Sequence, residues 1–117
     1  MKASLPNYRQ SPRKVRLVAN AIKGKSVAAA DTILSFMPKR AAEPVQKLIK
    51  SAAANASNLG LDVNKLVVKS VEVNKGLVMK RFMPRAQGSA KPVRHRLSHI
   101  DITLGEAAPK ASKKKSK

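Results

Sequence analysis

Between Glu72 and Asp101 the chain has no acidic residue, yet it carries seven Lys or Arg from Lys75 to Arg96. The segment joins two strand-like runs, LVVKSVEV (Leu66 to Val73) and SHIDITL (Ser98 to Leu104). The second alternates strictly, with Ile100, Ile102 and Leu104 on one face. Twenty-six residues separate Val73 from Ile100, too many for an ordinary hairpin loop. A structureless loop of that length is uncommon inside a compact domain. The alternative continues both strands outward as one ribbon closed near Gly88. That centre makes Pro84 and Pro92 symmetric about the tip and sets Gly76 opposite Ile100. The apolar face of Ile100, Ile102 and Leu104 then runs outward as Ser98, Arg96 and Arg94, turning cationic as it leaves the domain.

From Gly76 to Gly88 such a ribbon reaches on the order of 35–40 Å. A domain of roughly 90 residues has a radius of gyration of only about 12 Å, so the ribbon projects well clear of it. An isolated two-stranded ribbon is marginal in water, and this one also repels itself. It makes physical sense against a polyanionic surface. Met79, Phe82 and Met83 then lie on bases or in apolar crevices while the arginines hold phosphates. The competing reading is a disordered basic loop.

The charge of the whole chain points the same way. Twenty-five Lys and Arg against six acids give a net charge of +19 in 117 residues. Such a field concentrates polyanions, of which intracellular nucleic acid is the commonest. A membrane surface is the competing polyanion, but the sequence has neither a basic amphipathic helix with aromatic anchors nor a lipidation signal. No apolar stretch approaches membrane-spanning length, and MKASLPNYRQSPRK lacks the apolar run of a secretory signal. The absence of cysteine excludes disulfides and thiolate metal sites and fits a reducing cytoplasm. Tyr8, Phe36 and Phe82 are the only aromatics, so the core must be aliphatic. A soluble intracellular protein is expected.

The remaining pattern is helical. Leu5 to Gln10 reads as a short strand or an extended lead-in. Ser11-Pro12 reads as an N-cap and first helical residue, followed by an apolar stripe of Val15, Val18, Ala19 and Ile22 that Gly24 ends. Ser26 caps a second helix with Ala30, Ile33, Leu34 and Met37 inward and Pro38 as its stop. From Pro44 a third helix buries Val45, Leu48, Ile49, Ala52, Ala53, Ala56 and Leu59 up to Gly60. The predicted architecture is α+β: three helices packed on a small antiparallel sheet, with a long protruding β-hairpin. Residues 1–75 and 97–106 form the globular domain, 76–96 the hairpin arm and 107–117 a disordered basic tail.

On the first helix Arg13, Arg16, Asn20 and Lys23 share the face opposite the apolar stripe, with Lys14 alongside. A solvated face normally mixes acids with its cations, but no acid precedes Asp31 while seven basic residues do. Phosphate contact is the favoured reading. Arg9 and Tyr8 extend that surface, or Tyr8 sits at the core edge. His95 and His99 lie about 13 Å apart on a strand and cannot share a metal ion, so His99 is read as a hydrogen-bonding strand residue. The acids are scattered singly, no Ser/His/Asp constellation stands out, and Gly24-Lys25-Ser26 lacks the upstream glycine and strand of a phosphate-binding loop. Catalysis is not expected, and neither a metal nor a cofactor is called for.

Four stretches together resemble the bacterial form of the large ribosomal subunit protein twenty-two family. They are SPRKVRLVANAIKGK (Ser11 to Lys25), KLIKSAAANASNLGLD (Lys47 to Asp62), KRFMPRAQG (Lys80 to Gly88) and RLSHIDI (Arg96 to Ile102). The resemblance implies a structural constituent of the large subunit that binds its large ribosomal RNA and aids early assembly. It also implies a hairpin that lines the nascent-peptide exit tunnel beside the fourth large-subunit protein, near where macrolide antibiotics bind. The tip is then Met83, Pro84, Arg85, Ala86, Gln87 and Gly88. The RNA-binding set combines Arg9, Arg13, Lys14, Arg16 and Lys23 with Lys75, Lys80, Arg81, Phe82, Arg85, Lys91, Arg94 and Arg96. The expected partners are ribosomal RNA, neighbouring ribosomal proteins and the passing nascent peptide, with no membrane and no second copy of the chain. The chain departs from the family at Gln87, Ser89 and Pro92, where further basic residues or a β-former are common, and at Leu97, commonly polar. The alternatives are a free RNA or DNA chaperone, or a basic adaptor for acidic membrane surfaces or proteins.

Overall fold

In the computed structural model, which describes residues 1–106, Pro12 opens the first helix, α1 (Pro12–Ile22), behind Ser11 at the N-cap. Ser11 occupies the N-cap position without a side-chain cap, and its carbonyl accepts the first backbone bonds of the helix from the amides of Lys14 (3.1 Å) and Val15 (3.3 Å). In α2 (Val27–Phe36) the cap is a side-chain one, Ser26 Oγ accepting from the Ala29 amide at 3.2 Å. Ala30 and Leu34 are buried there, while Ile33 and Met37 pack only partly against the core.

The third helix, α3 (Ala42–Asn58), starts two positions ahead of the expected Pro44, which sits in its first turn. At its other end the expectation for Leu59 is overturned: this residue is 71% exposed. Gly60 takes φ +80°, its amide bonds to the Ser57 carbonyl and the Leu61 amide reaches back to Ala56. That Schellman arrangement turns the chain so that Leu61, two residues on, packs against the core instead.

The sheet has the order β1-β3-β2, all antiparallel, with β1 at Lys2–Tyr8, β2 at Leu66–Pro84 and β3 at Ala90–Glu106. β1 makes the first part of the Leu5 to Gln10 segment a strand, which starts earlier than expected, at Lys2, and stops at Tyr8, leaving Arg9 and Gln10 in a bend. Helices α1 and α3 cover one face, α1 over β2 and β3, α3 over β1 and β3, and α2 packs on α3. Between these layers lie Val15, Val18, Ile22, Val45, Ile49, Val68, Ile100 and Ile102. Alanines 42, 52 and 56 of α3 are buried as well, and their small size lets the layers approach. The outer edge of β2 is covered at its base, where the Gly24 amide bonds to the Val68 carbonyl and the Val68 amide to the Lys25 carbonyl.

Beyond the helices the β2–β3 ladder continues without a third strand to Pro84 opposite Ala90. The radius of gyration, 18.2 Å, exceeds the roughly 13 Å of a compact domain of this length because of that projection. The register differs from the symmetric one expected. Ile100 pairs with Val73 and not Gly76, and Pro92 pairs with Phe82 and not Pro84. Two causes add up. The tip centres on Gln87, which takes φ 62° itself ahead of Gly88 at φ 71°. In addition β2 carries an extra residue between Lys75 and Val78, which completes the shift at Ile100; a second extra residue, between Val68 and Ser70, changes the register only nearer the base. The basic tail at 107–117 lies outside the described residues.

Candidate nucleic-acid interface

Cross-strand partners share a face of the ladder, so the pairing fixes which side chains extend the core side outward. Val73 and Ile100 face the helices, and the same side continues as Lys75 with Ser98, Val78 with Arg96, and Lys80 with Arg94. It then reaches Phe82 with Pro92. The apolar-to-cationic change expected from the sequence is thus present, although Ser98 belongs to the core side of the boundary. Its side chain is fully buried and donates to the Gln10 carbonyl. The other face of the ribbon carries Met79 with His95, Arg81 with Val93, and Met83 with Lys91.

At the second bulge the two strands approach closely beside Gly76. A Cβ at Gly76 would meet the Leu97 carbonyl carbon and oxygen at 3.1 Å and its Cβ at 3.2 Å. Leu97 is itself buried at this approach. From α1, the Arg16 guanidinium donates to the Val73 carbonyl at 3.1 Å. One of its donors therefore fixes the root of the arm to the body, while the side chain stays exposed overall.

Around this root lie two clefts with a common wall of Ser11, Arg94, Arg96 and Leu97. The first, of about 670 Å³, brings Arg13 and Arg16 of α1 to Lys75 and Lys80 of β2, over Pro12, Gly76 and Val78. The second, of about 550 Å³, gathers Arg9, Lys14, Arg40 and His95. Most of the predicted cations thus converge on the root. Arg81, Phe82, Arg85 and Lys91 lie farther out on the arm, where every residue from Lys80 to Pro92 is exposed, Phe82 by 75%. Lys23 is set apart at the far end of α1 and lines neither cleft. The tip residues Met83 to Gly88 are all exposed.

Arg40 is the residue that sequence reasoning missed. It follows the Pro38 stop of α2 in a non-helical link and has no periodic neighbour to mark it. Its only sequence signal is the pair Lys39-Arg40 immediately before an acid-poor helix. His99 sits on the sheet as expected, Nδ1 accepting from the Asn7 amide at 3.1 Å.

Acids are kept away from this surface. Among the described residues the ion pairs are Lys47–Glu43 (3.2 Å) and Lys50–Asp31 (3.9 Å), both on the helical side. Glu72 and Asp101 face each other on the sheet just before the arm begins. No cation of the arm has a carboxylate within ion-pair distance among the described residues. Likewise no group of three potential metal-ligating side chains occurs among them, and no helix is long and apolar enough to cross a membrane.

The described residues form a small α+β body carrying a projecting, acid-free cationic ribbon, a scaffold-and-arm architecture. The chain belongs to the family ribosomal protein L22p/L17e, whose description matches residues 3–105. It is accordingly a structural constituent of the large ribosomal subunit, associated with ribosomal RNA and other large-subunit proteins in the ribosome.

Proposed function

We propose that the arm and its root bind large-subunit ribosomal RNA directly, with the arm as the deeply inserted element. The observation that carries this is the continuous cationic face from Arg13 and Arg16 through Lys75, Arg96, Lys80 and Arg94, unmatched by carboxylates among the described residues. A ribbon of this charge is unstable alone and is stabilised when phosphates neutralise it. Arginines at the root hold backbone phosphates and fix orientation, and Phe82 offers a ring on which a base can stack.

The resemblance in the sequence motifs supports the finer reading. The chain is the bacterial form, it acts early in subunit assembly, and its arm lines the nascent-peptide tunnel near the fourth large-subunit protein. The tip Met83, Pro84, Arg85, Ala86, Gln87 and Gly88 is then tunnel wall. Residues 76–96 serve as the arm, and the remainder up to residue 106 as the surface-seated body. Sedimentation tests the base of this reading. The tagged chain should travel with large subunits through a sucrose gradient at low salt; a chain confined to the top of the gradient would refute it.

A further inference from the structure

We propose that a third cleft, between β1 and α3, receives an unpaired RNA base, with its phosphate held at Arg40. The proposal rests on the RNA-binding reading above and adds a subsite to it. The cleft measures about 610 Å³, and Leu5, Tyr8, Pro44 and Leu48 supply its apolar lining. Arg40, Glu43 and Lys47 stand at the same cleft. Arg40 is also a wall of the cationic cleft beside Arg9, Lys14 and Arg94, so the two spaces adjoin at a single side chain.

A nucleotide needs this combination, because it is a flat, largely apolar ring carried on an anion. The ring enters the cleft against Tyr8, which is half-buried and has its hydroxyl 3.5 Å from the Arg40 carbonyl. The phosphate stays outside, where Arg40 joins the cations of the arm root. Glu43 does not spoil the site, since Lys47 pairs with it at 3.2 Å. Its free carboxylate lone pairs can accept from the exocyclic amine of a base. A protein segment fits less well, because the neighbouring cleft would demand a run of acids beside an apolar anchor.

Tyr8 is the only tyrosine and the chain has no tryptophan, so tyrosine emission reports this cleft alone. The test titrates the full chain at low salt with two probes, a short single-stranded oligoadenylate and an abasic ribose-phosphate oligomer of equal length. Both should bind, but only the oligoadenylate should shorten the Tyr8 emission lifetime and bind about tenfold more tightly, as stacking of one base provides. In a Phe82→Ala background, which removes the other exposed ring, Tyr8→Leu should abolish the preference and leave abasic binding unchanged; Tyr8→Phe, which keeps a ring, should retain it. Tight binding of both probes with an unchanged lifetime overturns the proposal and leaves the cleft to a protein neighbour. Equal quenching by both probes, or loss of the preference in Tyr8→Phe, also overturns it. If neither probe binds at low salt, the RNA-binding reading itself fails.

Discussion

Gly76→Ala probes the close approach of the two strands at the root of the arm. The added methyl would lie 3.1 Å from the Leu97 carbonyl carbon and oxygen and 3.2 Å from its Cβ. Two of those three atoms belong to the backbone of the paired strand, so they can move only if the ladder opens by a few tenths of an ångström. Overpacking of this kind costs typically about 1–3 kcal/mol. Against it stands a gain of about 0.4–1 kcal/mol, because alanine restricts the unfolded chain more than glycine does. The net expectation is a loss of about 1 kcal/mol, or a drop of ~4 °C in thermal midpoint. Gly105→Ala is the internal control. Its nearest neighbour would be Lys69 Cδ at 3.3 Å, the flexible part of a side chain that can swing away. That variant should melt within about 0.5 kcal/mol of the parent. Circular dichroism melts of the three proteins decide the matter. Equal midpoints for Gly76→Ala and Gly105→Ala would refute the close-packed crossing at Leu97.

Two further substitutions separate holding from binding. Arg16→Ala removes the bond to the Val73 carbonyl and should lower stability by about 1 kcal/mol. It should also flatten the salt dependence of RNA binding by about one unit; an unchanged melting midpoint would show that Arg16 does not hold the arm root. Phe82→Ala alters a ring that is 75% exposed, so melting should stay within about 0.5 kcal/mol. RNA affinity should fall at least about fivefold through lost stacking, and unchanged affinity in a filter-binding assay would remove Phe82 from the interface.

Much of this architecture was legible because its signals are local. Helical stripes, the Ser26 cap and the strict alternation of Ile100, Ile102 and Leu104 each report one period and one face. The ribbon followed from the 26 residues between Val73 and Ile100, and its polyanionic partner from the absence of acids between Glu72 and Asp101. What escaped depends on details that have no period. Each bulge in β2 adds one residue to one strand; Gly76 is the one local mark of the second, and no residue type announces the first. Gln87 takes the left-handed conformation at the tip although Gly88 stands beside it, which shifts the pairing of Pro92 from Pro84 to Phe82. Leu59 continues the stripe of α3 in sequence, but the Gly60 turn removes it from the core and substitutes Leu61. Arg40 reaches the interface only through tertiary folding, which brings the α2–α3 link beside the arm root.

The central claim is that the arm, not merely the overall charge, engages ribosomal RNA. Its most direct test compares the full chain with one lacking Val78 to Arg96 in equilibrium binding to large-subunit ribosomal RNA across a salt series. The deletion removes six Lys or Arg and leaves the helices and the sheet base in place, so it should still melt cooperatively. Its plot of log affinity against log salt should be shallower than that of the full chain by about 4–5 units. A cooperatively folded deletion that binds with the parent's affinity and the parent's slope would contradict the account.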